Sequence, residues 1–192
     1  MRDLKNFLLL FVFLIGMGLA FTLGYTRFWQ EKDEYECKVS PVEESRVKVY
    51  LFNFNKFNEP NNVDYVSAVY RETDRDDLKD FVVEQIILGP DEDELDLGLK
   101  PTFGQNNSIW FTSPSDCEGK DFILSVENGL ATVQFCRDTS LAGDMSGFIV
   151  EQQVGESLKE FSEVDRVLIL DSQGRCFNDM KGDTDLSNCY YE

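Results

Sequence analysis

Histidine is missing from all 192 residues of this chain. Its absence excludes Ser-His-Asp and Cys-His nucleophile systems, HExxH zinc sites and imidazole acid–base chemistry together. Basic residues are scarce as well: 18 lysines and arginines stand against 36 aspartates and glutamates, a formal net charge of −18. So acidic a body repels phosphate backbones, and nucleic acid is not an expected partner. The plain reading of the acidity is solubility and self-repulsion. The sharper one is that acidic loops meet a cationic partner or divalent cations. No internal repeat is evident, and the length suits one domain of ordinary size with appendages.

One long apolar run is present. Phe7 to Tyr25 reads FLLLFVFLIGMGLAFTLGY, with Thr22 as its polar interruption. About 20 apolar residues cross the hydrocarbon core as a helix, so residues 7–26 are expected to be a transmembrane signal-anchor. Arg2 and Lys5 precede the run, and the acids Glu31, Asp33, Glu34 and Glu36 follow it. Basic flanks stay inside. Residues 1–6 are therefore expected in the cytoplasm and the C-terminal domain outside it, in a single-pass protein of the cell membrane. A cleaved signal peptide would have a shorter apolar core and a small-x-small cleavage site. Cys37 follows Tyr35-Glu36, which is no lipobox. Residues 27–46, polar and holding Pro41, read as a tether.

The body that follows is organised around Asp121 to Cys136, DFILSVENGLATVQFC. Phe122, Leu124 and Val126 alternate with polar residues, as do Ala131, Val133 and Phe135, and Asn128-Gly129 between them suits a two-residue turn. This is a β-hairpin. Ahead of it, Val47–Phe54 and Val63–Tyr70 read as strands. Thr73 to Asp76 offers a helix N-cap before Leu78, Phe81, Val82 and Ile86 at helical spacing, and Gly89-Pro90 stops that helix. Asp91–Leu97 starts a short helical turn whose acids suit a helix N-terminus. Pro101–Gly119 is a long loop with a short strand around Ile109-Trp110-Phe111. Arg137–Gly147 reads as a loop, Phe148–Phe161 as a helix with Val150, Val154, Leu158 and Phe161 on one stripe, and Val164–Leu170 as a last strand. Beyond Asp171 the tail has too few apolar residues for another core element. The expected fold class is α+β: two layers, a mostly antiparallel sheet with two helices on one face, preceded by one transmembrane helix.

Three segments together resemble the GerMN (sporulation and spore germination) domain of bacterial surface proteins. They are Ile87-Leu-Gly-Pro-Asp-Glu-Asp-Glu94, the hairpin Val126–Phe135, and the helix-to-strand join Leu158–Ile169. The resemblance covers residues 47–171, and the cysteines place the chain beside a cysteine-bearing subset of such domains. It implies a non-enzymatic envelope module similar in fold to ring-building motifs of secretion and sporulation assemblies. It brings no catalytic or cofactor residues with it.

Five cysteines on an exported chain argue for disulfides. Several pairings are open; nearest-neighbour pairing joins Cys117 to Cys136 and Cys176 to Cys189. It leaves Cys37 unpaired or linked between chains, and makes residues 172–192 a disulfide-closed tail. Asp179, Asp183, Asp185 and Asn188 invite a calcium reading, but the EF-hand glycine and closing glutamate are absent, so no metal or other cofactor is assigned. Asp91 to Glu94 could supply paired carboxylates for glycoside hydrolysis, yet adjacent acids at an exposed helix start seldom form that pair. Trp110 and Phe111 are the candidate ligand contacts, as a sugar-stacking platform; the plainer reading packs them on the sheet. The expected function is a membrane-anchored, extracytoplasmic interaction or scaffold domain with an envelope protein or peptidoglycan as partner. The alternative is a carbohydrate- or peptidoglycan-binding module using Trp110 and Phe111.

Overall fold

Alternation in SRVKVYLF puts Val47, Val49 and Leu51 on one face, and all three are buried in β1 (Ser45–Phe52). The computed structural model describes residues 45–177 and 189–191. All of them belong to the second of the two units into which the chain divides, Met1–Val42 and Glu43–Glu192. The expected span over residues 7–26, Cys37 and nearly all of the tether lie outside the described residues. The tether's last two residues, Ser45 and Arg46, already belong to β1. Among the described residues no helix is long and apolar enough to cross a membrane.

β1 ends where Asn53 caps a single turn, α1 (Phe54–Phe57), by accepting from the Asn55 and Lys56 amides. That cap cuts short the strand expected to run to Phe54. β2 (Val66–Thr73) pairs antiparallel with β1, Ser45 opposite Thr73 and Phe52 opposite Val66. It starts later than the expected Val63, because the Asn62 and Asp64 side chains close turns on the backbone of Asp64 and Val66. α2 (Leu78–Leu88) follows, with Asp77 rather than the Thr73–Asp76 run at its N-cap. It buries Val82, Val83 and Ile86 and stops at Gly89, whose φ of 83° glycine adopts without strain. α3 (Glu92–Asp96) is a short helix closed by a capping box between Asp91 and Glu94.

β3 (Ile109–Phe111) leads to the hairpin, β4 (Phe122–Glu127) and β5 (Leu130–Phe135). Phe122 faces Phe135, Leu124 faces Val133 and Val126 faces Ala131. Asn128 and Gly129 turn with φ of 50° and 80°, the left-handed pair that matches the twist of the flanking strands. The segment expected to be a loop after the hairpin instead holds β6 (Thr139–Leu141), antiparallel to β3, and the start of α4 (Asp144–Lys159). Val150, Val154 and Leu158 of α4 are fully buried.

β7 (Arg166–Leu170) pairs with β5 in parallel, which the α4 crossover permits. β8 (Tyr190–Tyr191) adds antiparallel to β7. The expected single sheet is thus three among the described residues: β1-β2, β3-β6 and β4-β5-β7-β8. The expected two helices are four among the described residues. The α+β class stands. α4 packs on β1 and β7 and against α2, so one core runs through both larger sheets. The tail also departs from expectation. Phe177 joins the main core, and Cys176 and Cys189 are buried beside Leu168 and Leu170.

Candidate functional site

The four described cysteines are bonded as neighbours. Cys117 joins Cys136, tying the hairpin's far end to the loop before it, and Cys176 joins Cys189, holding β8 to the chain leaving β7. Cys136, Cys176 and Cys189 are buried, and Cys117 is half-buried. The calcium candidates Asp179, Asp183 and Asp185, with Asn188, lie outside the described residues. Among the described residues, no group of three or more metal-ligating side chains is gathered.

Trp110 and Phe111 are neighbours in β3, and successive strand residues point to opposite faces. The structure therefore sets them apart. Phe111 lies against Phe103 and Phe135, with ring centroids 5.7 and 6.3 Å away. The Arg137 guanidinium covers its ring at 4.6 Å and also bonds the Ser113 carbonyl and Asp121. Phe111 is packed and clamped, so of the two candidate aromatics it is Trp110 that remains for a ligand.

The acids at Asp91–Glu94 do not behave alike. Glu92 and Asp93 are exposed, whereas Glu94 is 8 % exposed. Its carboxylate accepts from both terminal nitrogens of Arg71 on β2 and from the Asp91 amide at 3.0 Å. Arg71 also bonds Gln85 of α2 at 3.2 Å. Three elements meet at this guanidinium, whose pKa is raised above its ordinary value, chiefly by the bond to Glu94. The pair is a structural tie and not an exposed acidic face. A charged residue inside the alternating run VSAVYRET was the sequence sign of it.

Other polar groups taken from water also join elements. Gln152 of α4 donates to the Val63 carbonyl at 2.6 Å and accepts from the Tyr65 amide at 3.0 Å. Buried Gln153 accepts from Thr102 at 2.6 Å, and Ser157 accepts from the Tyr50 amide at 2.8 Å. Lys48 and Tyr50 both bond Glu160, at 2.6 and 2.8 Å, and those bonds hold its carboxyl below the usual range.

Open ground lies between α2 and β4, and a separate hollow of about 390 Å³ lies beside Phe52 and Pro101. Two hollows of about 410 and 310 Å³ share a wall made by Asp77 and Asp80. Phe122 reaches the larger hollow; Leu124 and Val126 reach the smaller, with Leu78 and Phe161 opposite. Two of the three cations around them are engaged, Arg75 with Asp77 and Glu84, and Lys79 with Glu163 at 2.6 Å; the third is Lys120. Asp80 is half-buried without an ion-pair contact, and desolvation followed by the charge of Asp77 raises its pKa. No single motif in the sequence marks this groove. Its sign was an acidic helix start, TDRDDLKD, together with an alternating strand whose partner lies on one side only.

What these elements define is an α+β domain, closed by two disulfides, with one groove beside an edge strand. No family model matches the chain, and no curated protein matches it in sequence. Among solved structures, the fold is similar to the tandem GerMN domains of the sporulation protein GerM from Bacillus subtilis. Identity is 14 % and the TM-score 0.44, over 70 % of this chain and 40 % of that one. It is also similar to a candidate lipoprotein from Clostridium perfringens, with 12 % identity and a TM-score of 0.34, over 67 % of this chain and 74 % of that one. The chain thus spans less than half the length of the tandem-domain protein.

Proposed function

We propose that this chain is a membrane-anchored, extracytoplasmic module of GerMN type that acts by binding a partner at the cell envelope and not by catalysis. The observation that carries the compartment is the pair of disulfides, Cys117–Cys136 and Cys176–Cys189, in one folded body. Such bonds persist where the surroundings are oxidising. The apolar run over residues 7–26 and its charged flanks supply the anchor and its orientation. The mode of action is supported by the work of the withdrawn polar groups: Glu94, Gln152, Gln153 and Ser157 all tie one element to another. A sugar-binding role would rest on Trp110 without Phe111.

The test is topology in cells. An alkaline phosphatase fusion after Glu192 should be active and sediment with membranes. Activity of a cytoplasm-only reporter at the same position would contradict the proposal.

A further inference from the structure

Among the described residues, β4 is the end strand of its sheet, paired with β5 on one side only. Its hydrogen-bond phase is set by the Cys136 amide, which donates to the Asp121 carbonyl at 2.8 Å. Bonded and non-bonded pairs alternate along an antiparallel ladder. Ile123, Ser125 and Glu127 therefore direct their backbone groups to β5, and Phe122, Leu124 and Val126 direct theirs outward. The same three side chains line the hollows beside α2. An outward row of N–H and C=O groups next to a groove with apolar walls is the geometry that accepts one more strand.

The rim selects what that strand carries. Six acids line the two hollows, Asp76, Asp77, Asp80, Glu84, Asp121 and Glu163, against three cations, Arg75, Lys79 and Lys120. Two of the cations are held in ion pairs with rim acids. A second copy of this acidic chain would bring like charge to the edge, whereas a basic segment would lower the repulsion already there. We propose that the β4 edge binds an extended, basic segment of a partner protein by strand addition. Its backbone bonds Phe122, Leu124 and Val126, its apolar side chains enter the hollows, and its lysines or arginines meet Asp76 and Asp80. This names the partner chemistry for the binding role above and rests on that reading.

The probe is a fluorescent octapeptide Lys-Thr-Val-Thr-Lys-Thr-Val-Thr, which puts lysine and valine on one strand face, titrated onto the full chain in detergent, with the peptide bearing glutamate for lysine as control. The lysine peptide should bind at least about tenfold tighter and slow hydrogen exchange at the Phe122, Leu124 and Val126 amides. Val126→Pro takes away an outward donor at a place where an edge strand tolerates proline, and should weaken binding about tenfold. Should that variant misfold, Asp76→Lys with Asp80→Lys on the rim should weaken it as much. Equal binding of both peptides, or protection of other amides, overturns the proposal. Protection of the same amides at rising protein concentration without peptide also overturns it, by giving the edge to a second copy. In cells, crosslinks to a partner through another face would remove this site alone. Absence of any crosslinked partner would remove the binding role itself.

Discussion

Arg71 of β2 and Glu94 of α3 are joined through both terminal guanidinium nitrogens and both carboxylate oxygens, with their side chains 15 % and 10 % exposed. The same carboxylate closes the capping box of α3, so one acid fixes a helix end and a strand at once. Removing one partner of so enclosed a pair leaves an uncompensated charge.

Glu94→Gln should therefore lower unfolding free energy by about 3 kcal/mol, read by chemical denaturation. Glu92→Gln, exposed on the same short helix, should change it by less than about 0.5 kcal/mol. Equal effects would mean that the Arg71 contact contributes nothing.

Gly155 of α4 gives the Tyr191 ring its place. A Cβ built at Gly155 would stand 2.1 Å from that ring, and the Tyr191 hydroxyl donates to Glu156 at 2.6 Å. Glycine to alanine in a helix interior ordinarily gains about 1 kcal/mol. Here Gly155→Ala should instead loosen β8, seen as faster hydrogen exchange at Tyr191. In a Tyr191→Ala background the same change should stabilise. A stabilising Gly155→Ala in the native background would contradict this packing.

The Cys117–Cys136 bond closes a sequence separation of 19 residues. Replacing both cysteines by serine should cost about 3 kcal/mol in the chain-entropy model, read by urea denaturation. Non-reducing peptide mapping should recover that pair and Cys176 with Cys189. A Cys136–Cys176 peptide would contradict the placement of the tail.

Asp80 is an acid held at a cost. Burial and the carboxylates of Asp77 and Glu84 raise its pKa, and Lys120 and Arg75 offset this only in part. A folded-state pKa above the unfolded value means that the folded chain binds more protons, so stability falls as pH rises through that window. Asp80→Asn should raise the melting temperature at pH 7. The gain should vanish below the unfolded value of 3.8, where the native acid is also protonated. A gain that persists in acid would assign the effect to something other than charge.

The elements legible in the sequence are those whose pattern is local. The alternation around Asn128-Gly129 forms as read, and so does the stripe through Val150, Val154 and Leu158, whereas its last expected member, Phe161, falls past the helix end at Lys159. What escaped is set by distant partners. Thr139–Leu141 has no strand pattern of its own and becomes one by lying against Ile109–Phe111. Tyr190–Tyr191 is ordered by β7 and by the Cys176–Cys189 bond. The split into three sheets and the parallel β5–β7 pairing depend on how α4 crosses, and no local period records that. Glu94 reads as one acid among several until Arg71 is brought to it. The groove needs α2 and β4 side by side, which neither segment states alone.

The central claim is that this chain works outside the cytoplasm by binding. Its most direct test places a photoreactive residue in turn at Asp76, Ile123, Tyr70 and Leu97 of the full chain, all exposed, and irradiates living cells. The expected result is a discrete adduct with an envelope protein, strongest from Asp76 beside the groove and lost when residues 7–26 are deleted. Full cellular function with no adduct at any of the four positions, or adducts with cytoplasmic proteins alone, would contradict it.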